Sequence, residues 1–465
     1  MKLRRKCSIS LLLFILTMPS LFAFTHQQLA MKVMLNNPSL SNSRKDIELA
    51  ILDVKDAKAT HQPTIEFQST GTYMINPPIG KIVVNPEDYI SGQSGTSGTL
   101  SSLSALGLDG PITVYKGMED TYYNFAIQLT QPLYTWGKIN TAVDLYNKVV
   151  TIKSIQNSSL YKKLESELEA RESAIYYIKL MNQNLEEQTL LANELIEIVE
   201  DAKENQLVLE QDVLEAKIQA KQIEIGKKKL QKEENTQLSK IAELINDNSI
   251  NSKSIEYEVN EIEIINIMQT DLDTLIEKTT SINNDNIKIL SILKEVDEDQ
   301  TSIAKDSIYW KPDLALQIDA SYSGYRLPLV ETGYYTQDSA GLNITIALKS
   351  TIWDGGKKLN DIARKKINES KEDLDLIEAK NQIIQTLKDN LYTMELASSK
   401  IEYQELNSQI IESKINNLTK EYEEGYTDKT EVLKAKLELK SSELETLQQK
   451  AERATSYYTI SYLLN

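Results

Sequence analysis

Few side chains in this sequence could carry out covalent or metal chemistry. The 465 residues include one cysteine, Cys7, and two histidines, His26 and His61. Once Cys7 is lost with the N-terminal segment described below, no thiol remains, which excludes disulfides, thiolate metal sites and cysteine nucleophiles. We interpret the two histidines as surface residues rather than metal ligands. No motif assembles around a pocket, so we expect neither an enzyme nor a bound cofactor.

Carboxylates remain as candidates, and two of them occupy matching positions. Asp212 in "DVLEAK" and Glu431 in "EVLKAK" are separated by 219 residues, and the two segments align without a gap. In a symmetric assembly of several chains each carboxylate would form a ring, and a ring of carboxylates favours cations. Alternatively, each is a solvated residue at a helix start, stabilised by the helix dipole. Lys434 could pair with a neighbouring carboxylate.

These carboxylates lie in an internal repeat. Gly137 matches Gly356 at the same offset of 219, and the register holds for about eighty residues. We therefore predict a first structural repeat at 24–245, consisting of a helix, two strands, a long helix and a hairpin helix. A second repeat follows at 287–465. Between them, 246–286 is a polar segment that we expect to be partly helical.

Glycine and proline divide each repeat into strands and helices. Of 16 glycines, 14 fall in the windows Gly71–Gly137 and Gly324–Gly356. Because glycine and proline mark turns and break helices, the windows predict strands and loops, and the remainder predicts helices. Inside the windows, apolar residues alternate with period two and form four strands of about ten residues, long enough to cross a bilayer when tilted. A helix from Lys138 to about Glu204 would be about 100 Å long.

Residues 1–23 have the pattern of a signal peptide. Four basic residues precede an uncharged apolar run, and a small residue near position 23 is a plausible cleavage point. Cleavage would change the formal charge from -17 to -21. Such acidity argues against nucleic acid as a partner. No other segment approaches ~20 consecutive apolar residues, so we expect no helical membrane anchor in the mature chain.

Four strands with an apolar face cannot close a membrane barrel alone, because the smallest barrels have eight strands and open edges are not tolerated in lipid. The chain is therefore expected to oligomerise. All three tryptophans, Trp136, Trp310 and Trp353, lie next to strand ends on the helix side, and tyrosines cluster at the opposite ends. This distribution is typical of the aromatic girdles of a membrane barrel. Soluble sandwiches also place aromatic residues near strand ends.

Four segments together resemble the TolC family of outer membrane efflux proteins. They are "LAMKVMLNNPSL" from Leu29, "QPLYTWGK" from Gln131, "IWDGGK" from Ile352 and "YEEGYTDKTEVLKAK" from Tyr422. The resemblance implies an α+β membrane protein in which three chains contribute four transmembrane β-strands each to a trimeric 12-stranded barrel, continued by a long α-helical periplasmic barrel. It also implies a passive exit duct in the outer membrane of a Gram-negative bacterium, for efflux or type I secretion. The implied partners are a periplasmic adaptor, an inner-membrane pump of RND or ABC type, and outer membrane lipid.

The resemblance assigns roles to several residues. In the family, the turns between paired helices form the periplasmic entrance and contact the adaptor; the matching residues here are Gln206, Leu207, Val208, Gly425, Tyr426 and Thr427. Asp212, Glu431 and Lys434 match the entrance gate. Gly137, Gly355 and Gly356 mark the junctions at which strands redirect into helices. The family usually has glycine where this chain has Gln206, so the shape of the first turn is left open.

The main alternative is a periplasmic adaptor or coiled-coil scaffold. Adaptors also have a helical hairpin, but they have a single lipoyl-like β domain and no duplicated unit of 219 residues. Extraction only by detergent would distinguish a membrane channel from an adaptor or scaffold protein.

Overall fold

The computed structural model describes residues 24–76, 80–85, 110–115, 117, 119–307, 311–326, 332–333, 335 and 338–464. The predicted signal peptide, Trp310 and most of residues 77–118, which are rich in glycine and serine, lie outside the described residues.

The elements follow the order expected from the glycine and proline pattern. In the first half they are β1 (Phe24–Thr25), α1 (His26–Asn36), α2 (Pro38–Ala59), β2 (Thr64–Tyr73), β3 (Ile82–Val84), β4 (Ile112–Tyr115), β5 (Thr121–Tyr134), α3 (Lys138–Glu204) and α4 (Glu210–Ile245). The second half contains α7 (Asp285–Asp306), β7 (Asp313–Gly324), β8 (Ser339–Lys349), α8 (Lys357–Glu423) and α9 (Lys429–Leu464).

The segment between the halves is more ordered than its polar composition suggests. It contains a 3-10 turn, a short strand and two helices: Ser252–Ser254, β6 (Ile255–Glu256), α5 (Glu261–Gln269) and α6 (Leu272–Thr280). Side chains of Asn251, Asn260 and Asp271 cap the three helical pieces at their N-termini. Asparagine and aspartate are favoured at such positions because their oxygens accept from backbone N–H groups that the helix leaves unpaired.

The helix lengths recur in the two halves. Helices α3 and α8 both have 67 residues, and α4 and α9 both have 36. Helices α8 and α9 begin 219 residues after α3 and α4, respectively. The helix boundaries therefore keep the offset at which the sequence segments align.

Two compact units are present. The first comprises the described parts of 1–52, 147–298 and 365–465. Its largest apolar cluster includes Tyr177, Met181, Leu387, Met394 and Ile460. A second cluster joins Leu29 of α1 to residues of α3 and α4, and a third joins α3, α4 and α9. Each fully buried side chain of this size contributes about 1.5–3 kcal/mol through the hydrophobic effect.

The second unit, 53–146 and 299–364, contains a four-stranded antiparallel sheet in the order β2-β5-β7-β8. Its strands have 10, 14, 12 and 11 residues. Ile65, Leu129, Ile318 and Ile344 lie opposite one another across the four strands and so share one face. This apolar face is solvent-exposed, with Ile65 at 69% and Ile344 at 68%. None of the helices within the described ranges combines the length and apolar character needed to cross a bilayer.

Candidate functional site

The turn between α3 and α4, residues 205–209, is called the first tip here, and the turn between α8 and α9, residues 424–428, the second tip. In the first tip Gln206 has φ 59°, and in the second tip Gly425 has φ 81°. The Leu207 N–H donates to Ala202 O at 2.9 Å, and the Tyr426 N–H donates to Glu421 O at 2.7 Å. The open question about the first tip is thereby answered: its backbone turn matches the second, although glutamine replaces glycine.

Both tips expose apolar side chains to solvent. Leu207 and Leu209 are 77% and 71% exposed, and Tyr426 is 80% exposed. Val208 is half-buried and packs against the cluster formed by α3, α4 and α9, while Thr427 is half-buried. Exposed apolar side chains at the end of a hairpin are suited to contact with another protein.

The two candidate gate carboxylates differ in their contacts. The Leu209 N–H donates to Asp212 Oδ2 at 2.8 Å, so Asp212 stabilises the start of α4. Lys434 Nζ lies 2.8 Å from Glu431 Oε1. Both members of this pair are about half exposed, so the pair contributes at most ~1 kcal/mol. Asp212 is therefore held by backbone, whereas the charge of Glu431 is offset by a lysine.

Polar contacts join α9 to α3 near the tips. Lys429 Nζ lies 2.6 Å from Glu194 Oε1, and Lys440 Nζ lies 2.8 Å from Glu187 Oε2. The hydrogen bond to Glu194 raises the pKa of Lys429, so this lysine stays charged near neutral pH. Sequence analysis missed these pairs because the partners belong to different repeats and no spacing rule connects them.

The strand-to-helix junctions contain left-handed backbone. Gly137, Gly355 and Gly356 have φ of 80°, 72° and 86°. A Cβ at any of the three would meet no atom within 4 Å. The requirement for glycine therefore comes from the backbone conformation and not from a close neighbour. Asp354 caps the start of α8, since its two carboxylate oxygens accept from the N–H groups of Gly356 and Lys358 at 3.0 and 2.9 Å.

The two described tryptophans lie at these junctions in different environments. Trp136 Nε1 donates to Pro312 O at 3.0 Å, and its ring contacts Tyr134 with centroids 5.1 Å apart. Trp353 is largely exposed. Amphipathic rings of this kind are enriched at membrane interfaces.

His26 is half-buried, whereas a surface position was expected. Its side chain is 26% exposed, and Nδ1 lies 2.7 Å from Oε2 of Glu172, a fully buried carboxylate. His61 is exposed and its Nε2 lies 3.0 Å from Asn140 Oδ1. In the part of the chain that the structure describes, no three histidine, aspartate or glutamate side chains are grouped so that they could bind a metal ion.

The comparisons with known proteins agree with this geometry. Residues 284–465 match the family model described as outer membrane efflux protein. The outer membrane protein VceC of Vibrio cholerae is similar over 94% of this chain and 95% of its own, at 15% identity and a TM-score of 0.69. The CmeC outer membrane channel of Campylobacter jejuni is similar over 94% and 85%, at 12% identity and a TM-score of 0.69. The MtrE outer membrane channel of Neisseria gonorrhoeae is similar over 94% of this chain and 88% of its own, at 12% identity and a TM-score of 0.65.

No curated protein sequence matches the chain. At these low identities the structural similarity establishes the fold. The resemblance inferred from the sequence is confirmed: residues 284–465 match the model of outer membrane efflux proteins, and the chain has the fold of the VceC and CmeC outer membrane proteins.

Proposed function

We propose that this protein is one protomer of a trimeric outer membrane channel that serves as a passive exit duct for efflux or type I secretion. The observation that carries the proposal is the four-stranded sheet, which exposes an apolar face and, within the described residues, leaves β2 and β8 as unpaired edges. Open edges are intolerable in lipid, so a spanning sheet must close on itself. Three copies joined edge to edge would close a barrel of twelve strands.

The opposite face of the sheet supports a water-filled lumen. Glu66, Gln128, Asp319 and Asn343 lie opposite one another across the four strands. Alternation of lipid-facing apolar residues with lumen-facing polar residues is the pattern of channel-forming barrels. A soluble sandwich would instead cover the apolar face with a second sheet.

The helices also need a partner. Helix α8 carries an exposed apolar stripe with steps of four, seven, three and four residues: Tyr392, Leu396, Tyr403, Leu406 and Ile410. Helix α4 carries an exposed stripe of Leu214, Ile218 and Ile225. Stripes at this spacing are seams for other helices. Contact between α8 of one copy and α4 of the next is head-to-tail and generates a ring, as the trimer requires.

The tips are proposed as the periplasmic entrance and the contact for a periplasmic adaptor. Their exposed Leu207, Leu209 and Tyr426 side chains would lose solvent contact on docking. An inner-membrane transporter of RND or ABC type would supply the energy. In the trimer, Asp212 and Glu431 would each form a ring of three carboxylates at the entrance and favour cations.

The experiment that tests the proposal is conductance of the detergent-purified protein in a planar bilayer, with native mass spectrometry of the same sample. We expect a trimer and small cation-selective currents. A monomer that stays soluble without detergent and forms no channel would refute the proposal and favour the adaptor or scaffold interpretation.

A further inference from the structure

Polar contacts attach the N-terminal segment 24–37 to the first unit at a front end and at a rear end, and Leu29, Ala30 and Val33 pack into the apolar cluster with α3 and α4. At its front end, β1 pairs with β6 in parallel, with Phe24 opposite Ile255, and His26 contacts Glu172 of α3. At its rear end, Lys32 Nζ lies 3.0 Å from Asp247 Oδ2, and Asn37 Nδ2 donates to Leu244 O at 2.9 Å. The two attachments use different chemistry.

The front attachment places one imidazole between two carboxylates. His26 Nδ1 lies 2.7 Å from Glu172 Oε2, and His26 Nε2 lies 3.6 Å from Glu169 Oε1. Glu172 is fully buried, and its other oxygen, Oε1, has no hydrogen-bond partner in the described structure. A buried carboxylate in this state is unfavourable unless a positive charge or a proton neutralises it: burial raises the pKa of Glu172, and the contact with His26 opposes that rise.

The groups facing His26 from each neighbouring element are acidic or phenolic. Glu165, Glu169 and Glu172 lie on α3 at steps of four and three residues, so they share one helix face. The Tyr257 ring lies at 6.1 Å in an edge-on contact. Glu263 of α5 interacts electrostatically with Glu169, and Tyr458 of α9 interacts with both Glu169 and Glu172. The hydroxyl groups of Tyr458 and Tyr257 are hydrogen-bonded to each other. Protonated His26 therefore lies in a surplus of negative charge.

We propose that His26 is a pH-operated latch: its protonated form holds the front end of the N-terminal segment on α3, and its deprotonation releases that end while the rear end stays attached. When the imidazole is neutral, Nδ1 can still donate to Glu172, but Nε2 then presents a lone pair to Glu169. Two carboxylates remain without a positive charge between them. Separation of His26 from α3 lets water solvate both.

The direction of the pH dependence follows from the geometry. The hydrogen bond to Glu172 is the largest cause that raises the pKa of His26, and attraction to Glu172, Glu169 and Glu165 adds to it, against the opposing effect of burial. A raised pKa in the folded state means that the stabilisation is fully present below the ordinary value of 6.5 and is lost as pH rises through the folded value. The latch is therefore closed in acid and opens on the alkaline side.

The rear attachment is insensitive to this change. Hydrogen bonds from Ser249, and then from Lys32, hold the pKa of Asp247 well below its usual range. Asp247 thus stays ionised from pH 6 to pH 9. Lys32 also lies 4.2 Å from the centre of the Phe24 ring, so release of the front end is expected to be partial.

The test is hydrogen–deuterium exchange of the full-length purified protein between pH 6 and pH 9, corrected for intrinsic exchange rates. For peptides covering 24–28 and 253–258 in the wild type, we expect protection to fall about tenfold for each unit by which the pKa of His26 is raised. Protection of 240–250 should stay constant. Neither expectation depends on whether the protein forms a channel.

Variants separate the latch from general alkaline loosening. His26→Gln should show low front-end protection at every pH, whereas the matched control His61→Gln should keep the wild-type step. Glu172→Gln should move the midpoint of the step to lower pH, which tests the idea even if His26→Gln folds poorly. A wild-type protein without a step, or the same step in His26→Gln, would overturn the proposal.

Discussion

The two tips have the same backbone and different surfaces. Gln206 and Gly425 occupy equivalent positions, both with positive φ, and the N–H of the following residue donates to a carbonyl five residues earlier in each tip. The turn is therefore determined by how the helix ends satisfy their carbonyl groups, and glycine only lowers its energy. The side chains differ freely, since Leu207 stands where the second tip has Tyr426.

Charge is the second difference between the tips. Glu210 and Glu215 of the first hairpin correspond to Lys429 and Lys434 of the second. Glu210 pairs with Lys203 inside its own hairpin. Lys429 instead reaches Glu194 on the other hairpin. The second hairpin thus supplies positive charges that hold the two hairpins together, and the first remains the more acidic surface.

The largest expected contrast between the hairpins is in their cores. Leu214 and Leu433 are equivalent in the repeat, but Leu214 is 51% exposed and Leu433 is 2% exposed. Leu433→Ala should lower the free energy of unfolding by ~2–5 kcal/mol, because it leaves a cavity in the cluster of α3, α4 and α9. Leu214→Ala should change it little and should instead raise the monomer fraction. Thermal unfolding and native mass spectrometry measure the two effects; similar unfolding losses for both would contradict the contrast.

Two substitutions of Asp212 distinguish its capping contact at the start of α4 from its negative charge. Asp212→Ala loses both the contact with the Leu209 N–H and the negative charge, and should cost ~0.5–1 kcal/mol of stability. Asp212→Asn retains an acceptor oxygen and should stay close to wild type in thermal unfolding. In bilayer recordings both variants should lose cation selectivity to a similar extent. Wild-type selectivity in Asp212→Asn would show that Asp212 acts only at the helix start.

Substitutions at Gln206 and Gly425 that exchange glutamine and glycine should change the stability of the protein in opposite directions. Gln206→Gly should stabilise the protein by ~0.5–1 kcal/mol, because a non-glycine residue in left-handed backbone carries a penalty. Gly425→Gln should destabilise it by a similar amount. The double variant should return to the wild-type melting temperature, since the tips are separate turns. Destabilisation by Gln206→Gly would mean that the glutamine side chain has a contact that the backbone argument omits.

The smallest expected stability effect is at Lys434. Lys434→Gln breaks an exposed pair with Glu431 and should change the free energy of unfolding by less than ~1 kcal/mol. Its effect on conductance should be clearer, because it leaves Glu431 uncompensated and should increase cation selectivity. Glu215→Gln, at the equivalent position, is the matched control and should lower selectivity or leave it unchanged. Reduced selectivity in Lys434→Gln would argue against Glu431 at the entrance.

Sequence alone was sufficient for elements with a strong periodic signal. Glycine and proline located the four strands and the long helices, and the resemblance to the TolC family located both tips. The turn at Gln206 could not be predicted, because glutamine has little preference for left-handed backbone and the hydrogen bonds around it decide its conformation. The contact between His26 and Glu172 was missed for another reason: an acidic residue in an acidic helix gives no signal that it is buried.

The equal helix lengths restrict how this chain can change in evolution. One residue inserted in α3 would shift everything beyond it by 1.5 Å and rotate it by about 100°, so buried residues such as Leu195 would turn away from their partners. A matching insertion in α8 would not restore the packing unless both return helices also lengthened. We therefore expect insertions and deletions among related sequences to fall in the strand connections and in 246–286, and only rarely in the four long helices.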